Sequence, residues 1–417
     1  MNRNLYSLLT YLLLPLMVLR LLFKSIKNYQ YRQRIHERLG LIVNAPVPII
    51  WLHCVSVGEF RAATILIDKV IANHPDHRVL VTTTTPTGST AVTERYKQGV
   101  LHFYFPFDLP IIVNRYIRKI NPSICILMET EIWPNLIHAL NKKNIPVILV
   151  NARMSQRSLN KYQKFAKKLS QQTLNKLTLI ATQNHNSMNR FIELGATPVN
   201  VINAGNIKFD QQHTADITIT KQISAFKYRR NVVVFASTHK GEEEQIINSY
   251  INYQDSLSGT LLVIIPRHPE RFNEVYKLAQ KNNINTVKRS SNNPSADANI
   301  LIGDSMGEMM SYFEVCDIAF IGGSFSKTGG HNMLEPAALS KPIIFGPSVF
   351  NFAEVSADLV SQRGAIQVHN ADEMFEAIIE LLGNKDMCSK FGDNAFTFFS
   401  QHQGATKLLS SEIKSLL

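Results

Sequence analysis

Ile124-Cys125-Ile126-Leu127-Met128 is an unbroken apolar run, and Glu129-Thr130-Glu131-Ile132-Trp133-Pro134-Asn135 follows it directly. A half-buried strand alternates apolar and polar residues. A continuous apolar run instead marks a strand covered on both faces, as in a parallel sheet. The two acids stand where such a strand would end, and Pro134, with fixed φ and no N–H, suits the first turn of a helix. Strand, acidic turn and helix in succession form the repeating unit of a doubly wound α/β fold.

The same pattern recurs outward from this stretch. Strands are predicted at 49–52, 79–83, 101–105, 147–150, 177–181 and 199–203 in the first half, and at 232–236, 261–265, 284–287, 300–302, 318–321, 343–345 and 365–368 in the second. Longer amphipathic stretches separate them. After a linker at 40–48, strand and helix alternate through two series, with a polar stretch near 210–230 between them. The expectation is two Rossmann-like domains, 41–210 and 211–417, the second ending in one or two helices from about residue 385. Open sheets of this kind bind ligands outside the carboxyl ends of their strands. Two such domains facing each other are expected to form a cleft, so residues just after strands are the candidates for chemistry.

Composition narrows the class. With 45% hydrophobic and 18% charged residues in 417, the chain is too apolar for disorder and too mixed for a multi-span membrane protein. Cys54, Cys125, Cys316 and Cys388 lie far apart without a C-x-x-C pair, which excludes a cysteine-zinc ribbon and favours a reducing compartment. The net charge is +12, and residues 1–43 carry half of it: Arg3, Arg20, Lys24, Lys27, Arg32, Arg34 and Arg38 against Glu37 alone. These cations follow an apolar stretch at 5–19, which reads as a membrane device rather than a nucleic-acid arm. As a helix that stretch reaches about 22 Å, short of a hydrocarbon core of roughly 30 Å. Residues 1–40 are therefore expected to form an anchor and basic neck, either a short signal-anchor or a helix within one leaflet, with the body on the cytoplasmic side. The cations are expected to meet anionic headgroups. A buried core helix is the alternative.

In the first domain, His53-Cys54-Val55-Ser56-Val57-Gly58-Glu59 leads from a strand into a helix and can aim the Glu59 carboxylate at a ligand. Glu129 and Glu131 follow a central strand, and Arg153, at the end of the next, is a partner for one of them. Lys208, in Gly205-Asn206-Ile207-Lys208-Phe209-Asp210, can hold an anion.

In the second domain, Arg267 and His268 follow one strand and Gly303-Asp304-Ser305-Met306-Gly307-Glu308 another. Ile321-Gly322-Gly323-Ser324 leads on to Gly329-Gly330-His331-Asn332-Met333-Leu334-Glu335-Pro336. Glycine turns let backbone N–H groups face a ligand, and a helix starting near Asn332 would offer its N-terminal donors to a phosphate. Arg267 and His268 can grip phosphate or base. Glu335 can accept from a ribose diol. The dinucleotide G-x-G-x-x-G, the P-loop, the D-x-D pair and H-E-x-x-H are all absent where they would be expected. A two-domain nucleotide-sugar enzyme without a metal clamp remains.

Taken in order, His53–Glu59, Thr83–Gly88, Met128–Asn135, Asn151–Ser155, Gly205–Asp210, Pro266–Phe272, Gly303–Glu308 and Gly329–Pro336 make the chain resemble the bacterial 3-deoxy-D-manno-octulosonic acid (Kdo) transferases of lipopolysaccharide assembly. The resemblance implies a GT-B fold and inverting, metal-independent transfer of Kdo from CMP-Kdo to the lipid A precursor, lipid IVA, at the cytoplasmic face of the inner membrane. It requires no cofactor and involves no nucleic acid. By motif, Glu59 resembles the general base, and Glu129 and Lys208 the pair stabilising the transition state. Arg267, His268, Met306, Gly307, Glu308, Asn332, Met333, Leu334 and Glu335 resemble the CMP-binding set. Glu59 at a helix N-terminus is expected to be ionised at pH 7. The alternative is a GT-B transferase using another nucleotide sugar on a lipid acceptor.

Overall fold

Each predicted apolar run becomes a strand in the computed structural model, which describes residues 1–45, 48–211, 214–291 and 293–417. Pro46 and Val47 of the linker, and Gln212 and His213 of the polar stretch, lie outside the described residues. The chain divides into two compact units, Met1–Gln211 with Gln403–Leu417, and Gln212–His402.

The first unit holds β1 (Ile49–His53), β2 (Arg78–Thr83), β3 (Leu101–Tyr104), β4 (Pro122–Met128), β5 (Val147–Ala152), β6 (Leu179–Thr182) and β7 (Val201–Asn203). They form one parallel sheet in the order β3-β2-β1-β4-β5-β6-β7. The second holds β8 (Asn231–Thr238), β9 (Thr260–Pro266), β10 (Thr286–Lys288), β11 (Ile300–Ile302), β12 (Ile318–Ile321), β13 (Ile343–Phe345) and β14 (Ala365–Gln367), also parallel, in the order β10-β11-β9-β8-β12-β13-β14. Both units are the doubly wound α/β architecture of a GT-B-like fold.

The apolar runs are explained by burial on both faces. Successive strand residues point to opposite sides. Ile49, Trp51, Cys125 and Leu127 pack with Val113, Tyr116 and Leu136, whereas Ile50, Leu52, Ile124 and Ile126 pack with Leu66 and Ile67. Trp51 stacks on Tyr116 with ring centroids 5.3 Å apart. In each sheet two adjacent strands send the chain in opposite directions, β1 beside β4 and β8 beside β12. Those are the switch points at which open α/β sheets bind ligands.

Three features depart from the sequence reading. The last helix, Ala405–Leu416, packs in the first unit instead of the second. Ala405, Leu409 and Ile413 join the core beside Phe60 and Leu66, and Asp210 accepts from the backbone N–H groups of Gly404 and Thr406. An apolar stripe states that a helix is covered, not by which sheet. The N-terminal helix is longer than the apolar core of its sequence, running from Arg3 to Lys27. Finally, two of the basic neck residues face inward. Arg34 pairs with Glu37 at 2.7 Å and donates to the His102 carbonyl, while Arg38 lies 4.1 Å over the Tyr104 ring and donates to the Thr84 carbonyl. They hold protein groups and are not presented to lipid phosphate, whereas Arg20, Lys24, Lys27 and Arg32 are exposed.

Candidate active site

In the first unit the β1 and β4 turns sit side by side at the switch point. Ser56 caps the helix Val57–Asn73 by accepting from the Glu59 N–H, and the Glu59 carboxylate turns back to accept from the Val55 N–H at 2.7 Å. This resembles a capping box, with the carboxylate taking the N–H one residue ahead of the N-cap, and it fixes the carboxylate over the turn. Thr84 closes the turn from β2, its N–H and hydroxyl both donating to the Val55 carbonyl.

Glu129 is buried, 6% exposed, with a left-handed φ of 53° that a glutamate rarely adopts. Its carboxylate meets Arg153 Nε at 2.9 Å. Arg153, offered by the sequence as a partner for one of the two acids, takes Glu129. Glu131 accepts from Trp133 Nε1 at 2.9 Å and lies 3.7 Å from His53 Nε2. His53 is fully buried, stacked on Phe105 at 3.7 Å, with Nδ1 against Thr82.

These charges act on Glu59. Burial pushes its carboxyl up to about 7, the nearby Glu129 and Glu131 push the same way, and the Val55 N–H and Arg153 oppose them. The expectation of a fully ionised Glu59 at pH 7 is therefore corrected: desolvation and two neighbouring acids outweigh the helix N-terminus. Lys208 sits in the 3-10 turn Ile207–Asp210, held to β5 by the Ile207 N–H donating to Asn151 Oδ1 at 3.2 Å. The structure gives its ammonium no contact with Glu59 or Glu129.

In the second unit Glu242 organises the turns after β8 and β12. It is buried and accepts from the N–H groups of His239 (2.8 Å), Gly323 (2.7 Å) and Phe325 (2.9 Å). Gly322 closes on β8, donating to the Ala236 carbonyl at 2.8 Å. Above these turns His239 and His331 share a hydrogen bond, and the His268 ring meets His239 edge-on at 5.3 Å. Arg267 is placed beside them by its N–H donating to the Thr238 carbonyl. After β11, Ser305 donates to Glu308, which also lies 3.5 Å from Arg289 Nε; Met306 is exposed and Gly307 takes a φ of 82°.

Asn332 accepts from the Leu334 N–H and donates to Glu335, whose carboxyl burial pushes up. Met333 and Leu334 are core residues, 0% and 1% exposed, so their side chains cannot face a nucleotide and only their backbone could. The helix expected near Asn332 is the short Leu334–Ala338.

Sequence reasoning missed His239 and Glu242 and assigned no role to His53 or His331. A signal existed for the first two: Thr238-His239-Lys240-Gly241-Glu242 follows a strand with a polar-glycine turn, as Ser56-Val57-Gly58-Glu59 does in the first half. Among the described residues no group of three His, Cys, Asp or Glu side chains is arranged to hold a metal ion.

Residues 33–211 match the family model described as 3-Deoxy-D-manno-octulosonic-acid transferase (kdotransferase), and 280–398 match glycosyl transferases group 1. The 3-deoxy-D-manno-octulosonic acid transferase of Haemophilus influenzae is 38% identical over 100% of this chain and 99% of its own. The transferase of the same name from Rickettsia felis is 33% identical over 88% and 79%. The crystal structure of UDP-GlcNAc 2-epimerase from Neisseria meningitidis covers 88% of this chain and 100% of its own at TM-score 0.59 and 13% identity, which bears on the fold alone. On its full-length match, the chain belongs to the 3-deoxy-D-manno-octulosonic acid transferase family.

Proposed function

We propose that the protein transfers Kdo from CMP-Kdo to lipid IVA with inversion and without a metal, in lipopolysaccharide assembly at the cytoplasmic face of the inner membrane. One observation carries the chemistry: a carboxylate at the β1 switch-point turn, Glu59, whose pKa of about 7 suits a general base at neutral pH. The acceptor hydroxyl oxygen attacks the anomeric carbon of Kdo, the bond from that carbon to the CMP phosphate oxygen breaks, and CMP leaves with the electron pair. The hydroxyl proton passes to Glu59.

Glu129, locked by Arg153, supports the positive charge developing on the sugar, and Lys208 pairs with an anionic group of the donor. Arg267, His268, the Met306-Gly307-Glu308 turn and the 332–335 segment hold CMP. Positive and N–H groups aimed at its phosphate gain most as the leaving group takes up charge. The exposed apolar helix Arg3–Lys27 supports membrane placement, which suits an acylated acceptor that stays in the bilayer.

Mass spectrometry of the product from purified protein, lipid IVA and CMP-Kdo tests the reading. An acceptor heavier by Kdo is expected, with activity persisting in EDTA. Transfer from a UDP-sugar in preference to CMP-Kdo overturns the donor assignment. Loss in EDTA restored by magnesium overturns the metal-free one.

A further inference from the structure

The N-terminal helix is inside out. Its two buried residues are polar, Ser7 (9% exposed) and Thr10 (6%), while Leu8, Leu12, Leu16 and Phe23 stand 56–70% exposed. A helix of a water-soluble domain does the reverse. The polar side is fastened: Ser7 Oγ donates to Asn135 Oδ1 at 2.7 Å, Arg3 reaches the same oxygen at 3.4 Å, and the Tyr6 hydroxyl donates to Asp108 at 3.0 Å. Asp108 in turn accepts from the Asn135 and Leu136 N–H groups, so this joint is built into the first unit.

The chain beyond the helix returns to the same place. Arg34 holds the His102 carbonyl, Glu37 accepts from the Tyr104 N–H, and the Phe107 N–H donates to the Arg38 carbonyl at 2.9 Å. Tyr6 and Arg38, the two ends of the excursion, are thus bound at adjacent residues, Asp108 and Phe107.

A crossing helix cannot satisfy this. From Tyr6 to Ile26 the helix rises about 30 Å, the thickness of a hydrocarbon core. The seven residues from Lys27 to Arg34 reach at most about 24 Å extended, and four of them, Tyr29–Arg32, are wound in a 3-10 turn. If the helix stood across the bilayer, its first two turns would lie beyond the far surface while Arg34 stayed on the near one. The first unit grips both.

Resting on the membrane placement proposed above, we infer that the helix Arg3–Lys27 enters and leaves the bilayer from one face, lying within a single leaflet with both ends on the side of the catalytic units. The occupant of its apolar surface is lipid rather than a second copy. The exposed leucines fill a face about half the helix circumference wide, opposite Ser7 and Thr10 and broader than the seam of a helix pair, and the exposed cations beside them, Arg20, Lys24, Lys27 and Arg32, have no exposed acid among them in residues 1–45. Such cations reach back to anionic headgroups while the apolar side chains stay below. The buried joint also ends at Asn135, last residue of the segment that carries Glu129. The membrane surface is thereby tied to the loop assigned to the reaction.

Cysteine accessibility tests this on the full chain in a Cys388→Ser background, the other three cysteines being buried. Asn4→Cys and Lys27→Cys, both at exposed positions, are labelled with a membrane-impermeant maleimide in spheroplasts and in inverted membrane vesicles. Both are expected to react in inverted vesicles and neither in spheroplasts. Reaction of Asn4→Cys from the spheroplast exterior overturns the single-leaflet topology and leaves the membrane reading standing. A chain found in the soluble fraction, as monomer or dimer, overturns both. Spin labels at Leu8, Leu12, Leu16 and Leu19 give a second measure. Uniformly shallow depths are expected in anionic vesicles, and a depth profile that peaks at the bilayer midplane overturns the inference.

Discussion

The Nε2 atoms of His239 and His331 are 2.7 Å apart, with ring planes 2° from parallel. One imidazole must donate and the other accept, so the pair cannot carry two positive charges while this bond is made. Burial first lowers both pKa values; the facing His239, Arg267 and His268 help bring His331 to about 4, whereas for His239 the nearby Glu242 opposes the shift and His268, Arg267 and Arg271 add to it.

The sign of the resulting pH dependence is fixed. Below the unfolded value of about 6.5, the unfolded chain takes up a proton that folded His331 refuses until about pH 4, so stability falls as pH drops through that window. The thermal midpoint is expected to fall less steeply between pH 6.5 and 4 in His331→Asn than in the unsubstituted protein. Identical slopes from calorimetry would show that the imidazole is already charged.

With Glu59 in its proposed role as base, activity runs the same way with pH and is gained as the carboxyl loses its proton. The rate kcat/KM is expected to rise with pH through about 7 and level off above it. Glu59→Gln should lose about 10²–10⁴-fold while still binding CMP.

Neighbouring charges should move that limb in opposite directions. Glu129 and Glu131 raise the Glu59 pKa, and Arg153 lowers it. Glu129→Gln is expected to shift the limb to lower pH and Arg153→Met to higher pH, apart from any loss in the maximal rate. Shifts of the same sign in both variants would assign the limb to another group.

The strands were legible because both sheets are parallel and covered on each side, so their central residues are continuous apolar runs, with polar residues such as Arg78, Asn203, Asn231 and Lys288 at the ends. The turns after β1, β4, β9, β11 and β12 were legible by their place at strand ends. What escaped depended on distant partners. Nothing near Ala405 says that it meets Phe60, and nothing near Arg38 says that Tyr104 will cover it. Residues 53–60 show Glu59 at a helix start but not the two acids that β4 brings alongside. In the 329–336 motif, Met333 and Leu334 entered the CMP-binding set with the resemblance as a whole, although the short helix turns both side chains into the core.

Glu242 should be a structural keystone of the second unit. Its carboxylate satisfies three backbone N–H groups from two different turns, and Glu242→Ala would leave those buried donors without a partner. At about 1–3 kcal/mol for each unsatisfied group, a loss of about 3 kcal/mol or more is expected in urea unfolding of this variant. A smaller loss would mean that water replaces the carboxylate.

Gly322 is a position where the second unit tolerates no side chain. A Cβ there would stand 2.6 Å from the Ser237 carbonyl oxygen and 2.8 Å from that of Ala236, both backbone atoms of the β8 end. Nothing flexible can yield, so Gly322→Ala must push β8 away from β12, carrying Ser237, already at a φ of 57°, and His239 with it. Overpacking of this kind costs about 1–3 kcal/mol. Calorimetric titration should show CMP affinity falling at least about tenfold, the equivalent of 1.4 kcal/mol. Gly383→Ala, where a Cβ meets nothing within 4 Å, is the control and should keep both stability and affinity. If Gly322→Ala bound CMP as tightly as the control, the close approach of β8 and β12 would not be what shapes the nucleotide turn.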